Sequence, residues 1–427
     1  MNKHDSERIS GLLVGSGYSM VQDPIAADIL IFNTCCVRES AVQRFLGNLK
    51  EFSGKIKANP AAKIVVVGCT AQDMGNQIFD VVPRVDIVVG TGNLNQLPFL
   101  LDGCLKNNEK ISLVTGIFNS QTVSSMPLER ECHFKAWVPI SYGCSNYCSY
   151  CIVPHVRGNE VSRDFQEIMD ETRSLLQNGV KEITLLGQNV NSYSCNGYGF
   201  YDLLDRVSSF KELKRIRFAT SHPKDLSRSI VDLIESKKNI CKHIHLPVQS
   251  GSDKILSLMN RCYDRNSYLE NVNYIRSKIP GCSITTDIIV GFPGETEIDF
   301  EDTLDLVRKC SFDQSFTFIF SPRKNTQAAL MPDNVSREEK VERLMALTKL
   351  QDEIALSSNL VYTGRVEEIL IDGVSKKNRT EVCGRTDTNK VVNVIGGSDL
   401  IGNFVNVKIY NAGKYSLHGE IINKQNL

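Results

Sequence analysis

Apolar residues in the first hundred positions fall into two alternating rhythms. Asp5–Val14 carries Ile9, Leu12 and Leu13 on one face of a 3.6-residue period and predicts a helix. Asp28–Thr34, Lys63–Gly68 and Val85–Gly90 are short apolar runs, the form taken by strands buried on both faces of a parallel sheet. Helix-compatible stretches separate them, so residues 1–106 read as a small doubly wound α/β domain. The mixed polarity of Asn107–Cys132 reads as a linker with some strand character.

From Lys135 the alternation restarts more regularly. Candidate strands are Ala136–Ser141, Glu182–Gly187, Arg215–Ala219, His243–Pro247, Ile284–Val290 and Ser315–Phe320. Helical patterns separate them at Asp164–Asn178, Tyr201–Phe210, Asp225–Glu235, Asn266–Lys278 and Glu297–Arg308. Six β/α units in succession predict an open, partial (β/α)6 barrel within residues 130–359, with its active site at the carboxyl ends of the strands. Ser336–Leu356 reads as a long charged helix. After Val361 come short strands with Gly, Asn and Asp turns, at Arg365–Ile371, Val391–Ile395, Asn403–Ile409 and Leu417–Ile421. They predict a small β-barrel over residues 362–425, comparable in size to oligonucleotide-binding folds. The fold class is therefore α/β with a C-terminal β-barrel.

Length agrees with this division, since 427 residues exceed one ordinary domain. No secretory signal pattern opens the chain, and apolar runs such as Ile64–Val67 and Ile87–Val89 are too short to cross a bilayer. No membrane partner is expected. Fourteen cysteines in such a chain predict reduced thiols, metal–sulfur ligation and a cytoplasmic location. The 49 basic and 49 acidic residues cancel, so bulk charge gives no argument for nucleic-acid binding and any RNA contact must be local. Lys376, Lys377, Arg379, Arg385, Lys390 and Lys408 concentrate in the last segment. Such residues usually form a solvated face; on a small barrel they can also track a phosphate backbone, and composition leaves both open.

Cysteine spacing adds the chemistry. Cys144, Cys148 and Cys151 stand as Cys-x3-Cys-x2-Cys in the loop after the first barrel strand. Three thiolates so close can hold a cluster or metal and leave one coordination position free for a reacting molecule. The alternatives are a zinc knuckle, a redox Cys-x-x-Cys, or a group of buried thiols. Cys35 and Cys69 each follow a predicted strand of the first domain, on the edge where open parallel sheets bind ligands. They form a candidate shared metal site. Gly187-Gln188-Asn189, Leu246–Ser252 (with Gln249) and Val290–Glu295 (with Gly291) end barrel strands in turns that either cap helices or line a pocket. His222, His243 and His245 lack a third metal ligand at suitable spacing and read as structural or pocket-lining.

The cysteine triad, with Tyr150 before its last member, resembles the radical S-adenosylmethionine (SAM) superfamily. There three cysteines bind a [4Fe–4S] cluster whose fourth iron takes the amino and carboxylate groups of SAM. A segment placed like Gly187-Gln188-Asn189 contacts the SAM amino group. The further runs Phe-Asn-Thr-Cys-Cys-Val-Arg-Glu from Phe32, Val-Val-Gly-Cys-Thr-Ala-Gln from Val66 and Val-Arg-Gly-Asn-Glu-Val-Ser-Arg from Val156 resemble the methylthiotransferases of the MiaB type. So do Leu-Leu-Gly-Gln-Asn-Val-Asn-Ser-Tyr from Leu185, Phe-Ala-Thr-Ser-His-Pro from Phe218 and Asp-Ile-Ile-Val-Gly-Phe-Pro-Gly-Glu-Thr from Asp287. Gly-Arg-Thr-Asp from Gly384 and Leu-Ile-Gly from Leu400 resemble that family's RNA-binding TRAM domain.

The resemblance implies an N-terminal domain with a second, auxiliary [4Fe–4S] cluster, a radical-SAM core and a TRAM domain. It implies a tRNA substrate whose adenosine beside the anticodon carries an isopentenyl group, and insertion of a methylthio group at C2 of that base. One SAM supplies the methyl group and a second supplies the radical. An electron donor such as flavodoxin or ferredoxin is implied, the sulfur donor is unspecified, and a monomer is expected. The sibling readings are methylthiolation of a threonylcarbamoyl-adenosine tRNA or of a ribosomal protein; a non-catalytic RNA-binding relative is the reading from another class.

The resemblance departs at the amino end. Family members open with a strand ending in Gly-Cys-Gln-Met-Asn, whose cysteine is the first auxiliary ligand, whereas this sequence starts Met-Asn-Lys-His. Cys35 and Cys69 are then two of three expected ligands. The expectations are a start assigned at an internal methionine, substitution by Cys36, or a true truncation. As the neighbour of Cys35, Cys36 is expected to point elsewhere.

Overall fold

Strands buried on both faces read as near-continuous apolar runs, and β2 (Lys63–Gly68), apolar from Ile64 to Val67, is buried along its whole length. In the computed structural model, which describes residues 1–56, 59, 61–115, 127–130, 132–376 and 378–422, β2 lies beside β1 (Ile29–Thr34). β3 (Ile87–Val89) and β4 (Ile111–Leu113) complete a parallel sheet in the order β1-β2-β3-β4. Helices α1 (Asn2–Gly15) and α5 (Leu97–Asn107) pack Ile9, Leu13, Leu97 and Leu101 against Val65, Val67, Ile87 and Val89. On the opposite face α2 (Glu39–Lys55) sets Phe45 and Leu49 against Ile64, Val66 and Val88. Between β2 and β3 run α3 (Cys69–Met74) and α4 (Gln77–Val81). This is the doubly wound layer arrangement. β4 falls in the stretch read as a linker; its three residues are half-buried at the sheet edge and carry no periodic signal. The remainder of that stretch at 116–126 and 131 lies outside the described residues.

The chain forms two compact units, 1–132 with 141–163 and 323–329, and 133–140 with 164–322 and 330–427. In the second unit six parallel strands follow in sequence order: β5 (Lys135–Pro139), β8 (Glu182–Leu186), β11 (Arg215–Phe218), β12 (His243–His245), β13 (Ser283–Val290) and β14 (Gln314–Ile319). They make two three-stranded sheets, joined by a parallel bridge between Ile216 and Ile240. Helices α7 (Phe165–Gln177), α8 (Phe200–Ser208), α9 (Arg228–Ser236), α11 (Arg265–Lys278) and α12 (Glu297–Cys310) alternate with them. A short hairpin, β9 (Ser194–Cys195) with β10 (Tyr198–Gly199), and helix α10 (Asp253–Leu258) sit in the connections. Asp164, Ser227, Asp264 and Thr296 start α7, α9, α11 and α12 by accepting backbone N–H groups of the first turn. This is the open (β/α)6 barrel expected. The long helix α13 (Arg337–Leu360) follows it.

The last segment closes into a five-stranded barrel, β15-β16-β17-β19-β18, from β15 (Val366–Val374), β16 (Glu381–Arg385), β17 (Val391–Ile395), β18 (Phe404–Ala412) and β19 (Leu417–Ile421). β16 is the strand the pattern did not reveal. Buried arginines fix this barrel to the amino ends of the parallel strands. Arg215 donates to the Arg385 and Glu368 carbonyls, each at 2.6 Å, and Arg217 donates to the Thr386 carbonyl at 2.6 Å and to Glu182 at 3.1 Å. The small barrel thus sits at the end of the parallel sheet opposite to its carboxyl, ligand-binding edge.

Candidate functional site

In the first unit, β6 (Ser141–Tyr142) pairs antiparallel with β7 (Val161–Ser162) and draws the intervening cysteine segment into a closed loop. Gly143 makes the closure possible. Its φ is +69°, and a Cβ there would lie 2.1 Å from the Asn159 carbonyl oxygen. The next residue, Cys144, donates its N–H to the Gly158 carbonyl at 3.1 Å, and Cys151 donates to the Cys148 carbonyl at 2.9 Å. Cys144, Cys148, Tyr150 and Cys151 are all half-buried. Gly143→Ala should therefore cost on the order of 2–4 kcal/mol from left-handed backbone plus overpacking. The expected result is failure to retain iron at this loop after reconstitution, read as iron and sulfide per chain; wild-type content would remove this account of the loop.

Helix α6 (Val153–Arg157) ends the loop and carries it to the sheet edge. Ile152 and Val156 pack with Cys36 and Cys69 in one apolar cluster. Arg157, 6 % exposed, donates from Nε to the Cys69 sulfur at 3.1 Å and from Nη2 to Asp5 at 2.7 Å. Cys69 opens α3 directly past β2, and Cys35 follows β1, as expected. Cys36 does not point elsewhere. Its thiol is hydrogen-bonded to Cys69, which holds the Cys69 thiol below its usual range and pushes Cys36 up; Arg157 adds to the lowering. Burial raises Cys35.

Cys144, Cys148 and Cys151 supply the all-thiolate donor set that an iron–sulfur cluster takes. Thiolates on one tetrahedral zinc, about 2.3 Å from it, crowd together. Among the described residues no three His, Cys, Asp or Glu side chains are placed to hold one metal ion. Cysteines on different irons of a cubane stand farther apart than thiolates on one ion. An arginine donor on the Cys69 sulfur is the kind of outer hydrogen bond that tunes such a cluster.

The second unit presents the remaining candidates at the carboxyl edge of its sheet. Gly187 is buried and Gln188 half-buried just past β8. Asn189 is buried, and both ends of its amide are used within the protein: Oδ1 accepts the His222 N–H at 3.1 Å and Nδ2 donates to Asp225 at 2.6 Å. Gln249 adopts φ +74° and bridges to Ile288. Gly291 adopts φ +68°, donates to Glu295 at 2.5 Å, and sits where a Cβ would meet the Lys340 side chain. Arg343 pairs with Glu295 at 2.9 Å, tying this turn to α13.

Of the basic residues in the last segment, Lys376, Arg379 and Lys408 are exposed and available to a phosphate backbone. Lys390 is buried in a 2.7 Å ion pair with Asp313, and Arg385 donates to Asn389 at 3.2 Å, so these two serve the fold. Lys377 lies outside the described residues. Arg157 is a site residue that spacing could not reveal, although it stands in the Val-Arg-Gly-Asn-Glu run.

Family models match three successive segments: the radical SAM superfamily over 138–307, an uncharacterized protein family, UPF0004, over 1–90, and the TRAM domain over 360–422. A Clostridium botulinum protein named tRNA-2-methylthio-N(6)-dimethylallyladenosine synthase is 47% identical over 427 residues, covering 99% of this chain and 95% of the relative. A protein of the same name from Caldicellulosiruptor saccharolyticus is 48% identical, covering 99% and 90%. Among solved structures, a radical S-adenosylmethionine methyltransferase, TsrM, from Kitasatospora setae aligns with a TM-score of 0.57 at 14% identity, over 76% of this chain and 73% of that one. That likeness is one of fold.

Proposed function

The chain belongs to the MiaB-type tRNA methylthiotransferase family, and on that premise we propose the reaction it performs: attachment of a methylthio group to C2 of an N6-dimethylallyl (isopentenyl) adenosine in tRNA, with SAM as co-substrate. The aromatic C2–H has no acidic proton for a general base to take, so side-chain acid–base chemistry alone does not reach it. Cys144, Cys148 and Cys151 would hold a [4Fe–4S] cluster, which when bound would supply the electron for reductive cleavage of SAM. The protein's part is to hold that cluster on a loop closed by β6 and β7, with Tyr150 beside the last ligand.

The observation that carries the reading is the placement of both cysteine sets in one compact unit, with Arg157 of the loop hydrogen-bonded to Cys69. Radical generation and sulfur delivery must serve the same carbon atom, and this arrangement supports that. Cys35 and Cys69 are the ligands proposed for an auxiliary cluster, and Cys36, whose thiol faces Cys69, is a third thiol at that edge. The exposed Lys376, Arg379 and Lys408 are proposed to meet the tRNA backbone, and a flavodoxin- or ferredoxin-like protein to deliver electrons.

The test is nucleoside analysis of tRNA from a deletion strain, with and without this gene restored. Loss and recovery of the methylthio form of dimethylallyl-adenosine is expected. Unchanged methylthio-dimethylallyl-adenosine in the deletion strain, or loss of a methylthiolated threonylcarbamoyl-adenosine instead, would reassign the substrate.

A further inference from the structure

Cys36 and Cys69 leave the ends of neighbouring strands and meet through their sulfurs. β1 and β2 run in parallel as far as Thr34 and Gly68, which stand opposite each other in the register. The backbones approach closely there: Gly68 adopts φ +93°, and a Cβ on it would lie 2.7 Å from the Thr34 carbonyl oxygen. Thr34 adds a bond across the gap, donating from Oγ1 to the Val67 carbonyl at 3.2 Å. Just past this pinch the two cysteines pack together against Ile152 and Val156. The Cys36 thiol donates to the Cys69 sulfur, and Arg157 Nε donates to the same sulfur at 3.1 Å.

A disulfide needs two sulfurs that can close to about 2.05 Å, and cysteines whose side chains point apart cannot form one. Here the side chains point at each other. Two hydrogens directed at Cys69 mark its sulfur as the electron-rich partner, while Cys36 keeps its proton. Cys36 is 1% and Cys69 2% exposed, which denies approach to a bulky disulfide oxidant and favours a water-sized one. In a chain whose other thiols are reduced, a disulfide of this kind is transient and redox-sensing rather than structural.

We propose that Cys36 and Cys69 are a redox pair, closed to a disulfide by hydrogen peroxide when no cluster is bound and reopened by a reductant. The Cys69 sulfur attacks one peroxide oxygen and the O–O bond breaks, leaving a sulfenic acid and hydroxide. The Cys36 sulfur then bonds to the Cys69 sulfur, the S–OH bond breaks, and the hydroxide leaves with the Cys36 proton as water. In sum two thiols and one peroxide give one disulfide and two waters. The disulfide withdraws Cys69 from iron, so the oxidised chain cannot load an auxiliary cluster. That consequence rests on the function proposed above; the disulfide itself does not.

The experiment uses the full-length chain, stripped of iron, reduced, and freed of reductant. After hydrogen peroxide, remaining thiols are alkylated and the linked peptides are sequenced by mass spectrometry. A peptide joining Cys36 to Cys69 should dominate for this sheet edge, disappear after a phosphine reductant, and be absent from Cys36→Ser. That variant changes little bulk, and an unchanged melting temperature of the reduced protein checks its fold. Alkylated Cys36 and Cys69 after peroxide, or Cys69 joined to Cys35 instead, would overturn the pair. Loading is then read as iron per chain after exposure to a [4Fe–4S] carrier protein, without added sulfide or thiol. On phosphine reduction the oxidised wild type should gain one cluster's iron more than Cys36→Ser gains. Equal gains would overturn the gate and leave the function standing. A reduced wild type that loads only the Cys144 loop would overturn the auxiliary site and the gate together, while the mapped disulfide would stand.

Discussion

Replacing Cys148 with serine is expected to abolish reductive cleavage of SAM, with a loss greater than about 100-fold. Altering a residue that merely supports a metal ligand already costs about 10–100-fold, and removing the ligand itself must exceed that. A serine hydroxyl stays protonated near neutral pH and is a poor partner for the soft iron site that a thiolate satisfies. The loop should remain folded, because its closure depends on the β6–β7 pairing and on Gly143 rather than on the Cys148 side chain. Formation of 5′-deoxyadenosine under a strong reductant is the first measurement. Iron and sulfide per chain is the second, and it is the more informative. The variant should lose one cluster's content and keep whatever Cys35, Cys36 and Cys69 hold. If it keeps none, those three thiols do not carry a cluster by themselves; undiminished SAM cleavage would remove the loop from the chemistry altogether.

The parts legible in the sequence were those set by local rules. β2 announces itself because a strand covered on both faces tolerates little but apolar residues, and Ile64–Val67 is an unbroken apolar run. The cysteine loop is legible because its ligands lie within eight positions of one another. β16 escaped notice because its inward positions are Val382 and Gly384, and Gly384 is there so that the chain can approach the Leu370 carbonyl. Lys390 looked like surface charge, and only the fold supplies Asp313 as its buried partner. The Arg157 contacts to Cys69 and Asp5 span 88 and 152 positions, and no periodicity encodes separations of that kind. Asn189 drew attention for its place after β8, yet its amide is spent on His222 and Asp225, while the unmatched amide belongs to Asn191 two residues on.

Arg157→Leu should destabilise the first unit by about 3–5 kcal/mol, the usual cost of removing one partner from a buried ion pair. Asp5 would be left at about the same burial with no guanidinium, its side chain being only 5% exposed. For a unit of this size that corresponds to a fall of roughly 10 °C in melting temperature. Arg157→Lys keeps the charge but not the planar fork, so it cannot donate along two directions to Cys69 and Asp5 at once; an intermediate fall is expected. The decisive comparison is the double variant Asp5→Leu with Arg157→Leu. Removing both charges eliminates the uncompensated carboxylate, so the pair should melt above Arg157→Leu alone. A double variant that melts lower would mean that Arg157 stabilises the unit through contacts other than its pairing with Asp5, such as its donation to Cys69. The same series separates stability from cluster tuning. Loss of the Nε donor on the Cys69 sulfur should lower the reduction potential of a cluster ligated there, because each such hydrogen bond stabilises the more negative, reduced state. In Arg157→Leu, Asp5→Leu the melting temperature should therefore recover while the potential stays low, since the charge balance is restored and the donor is not.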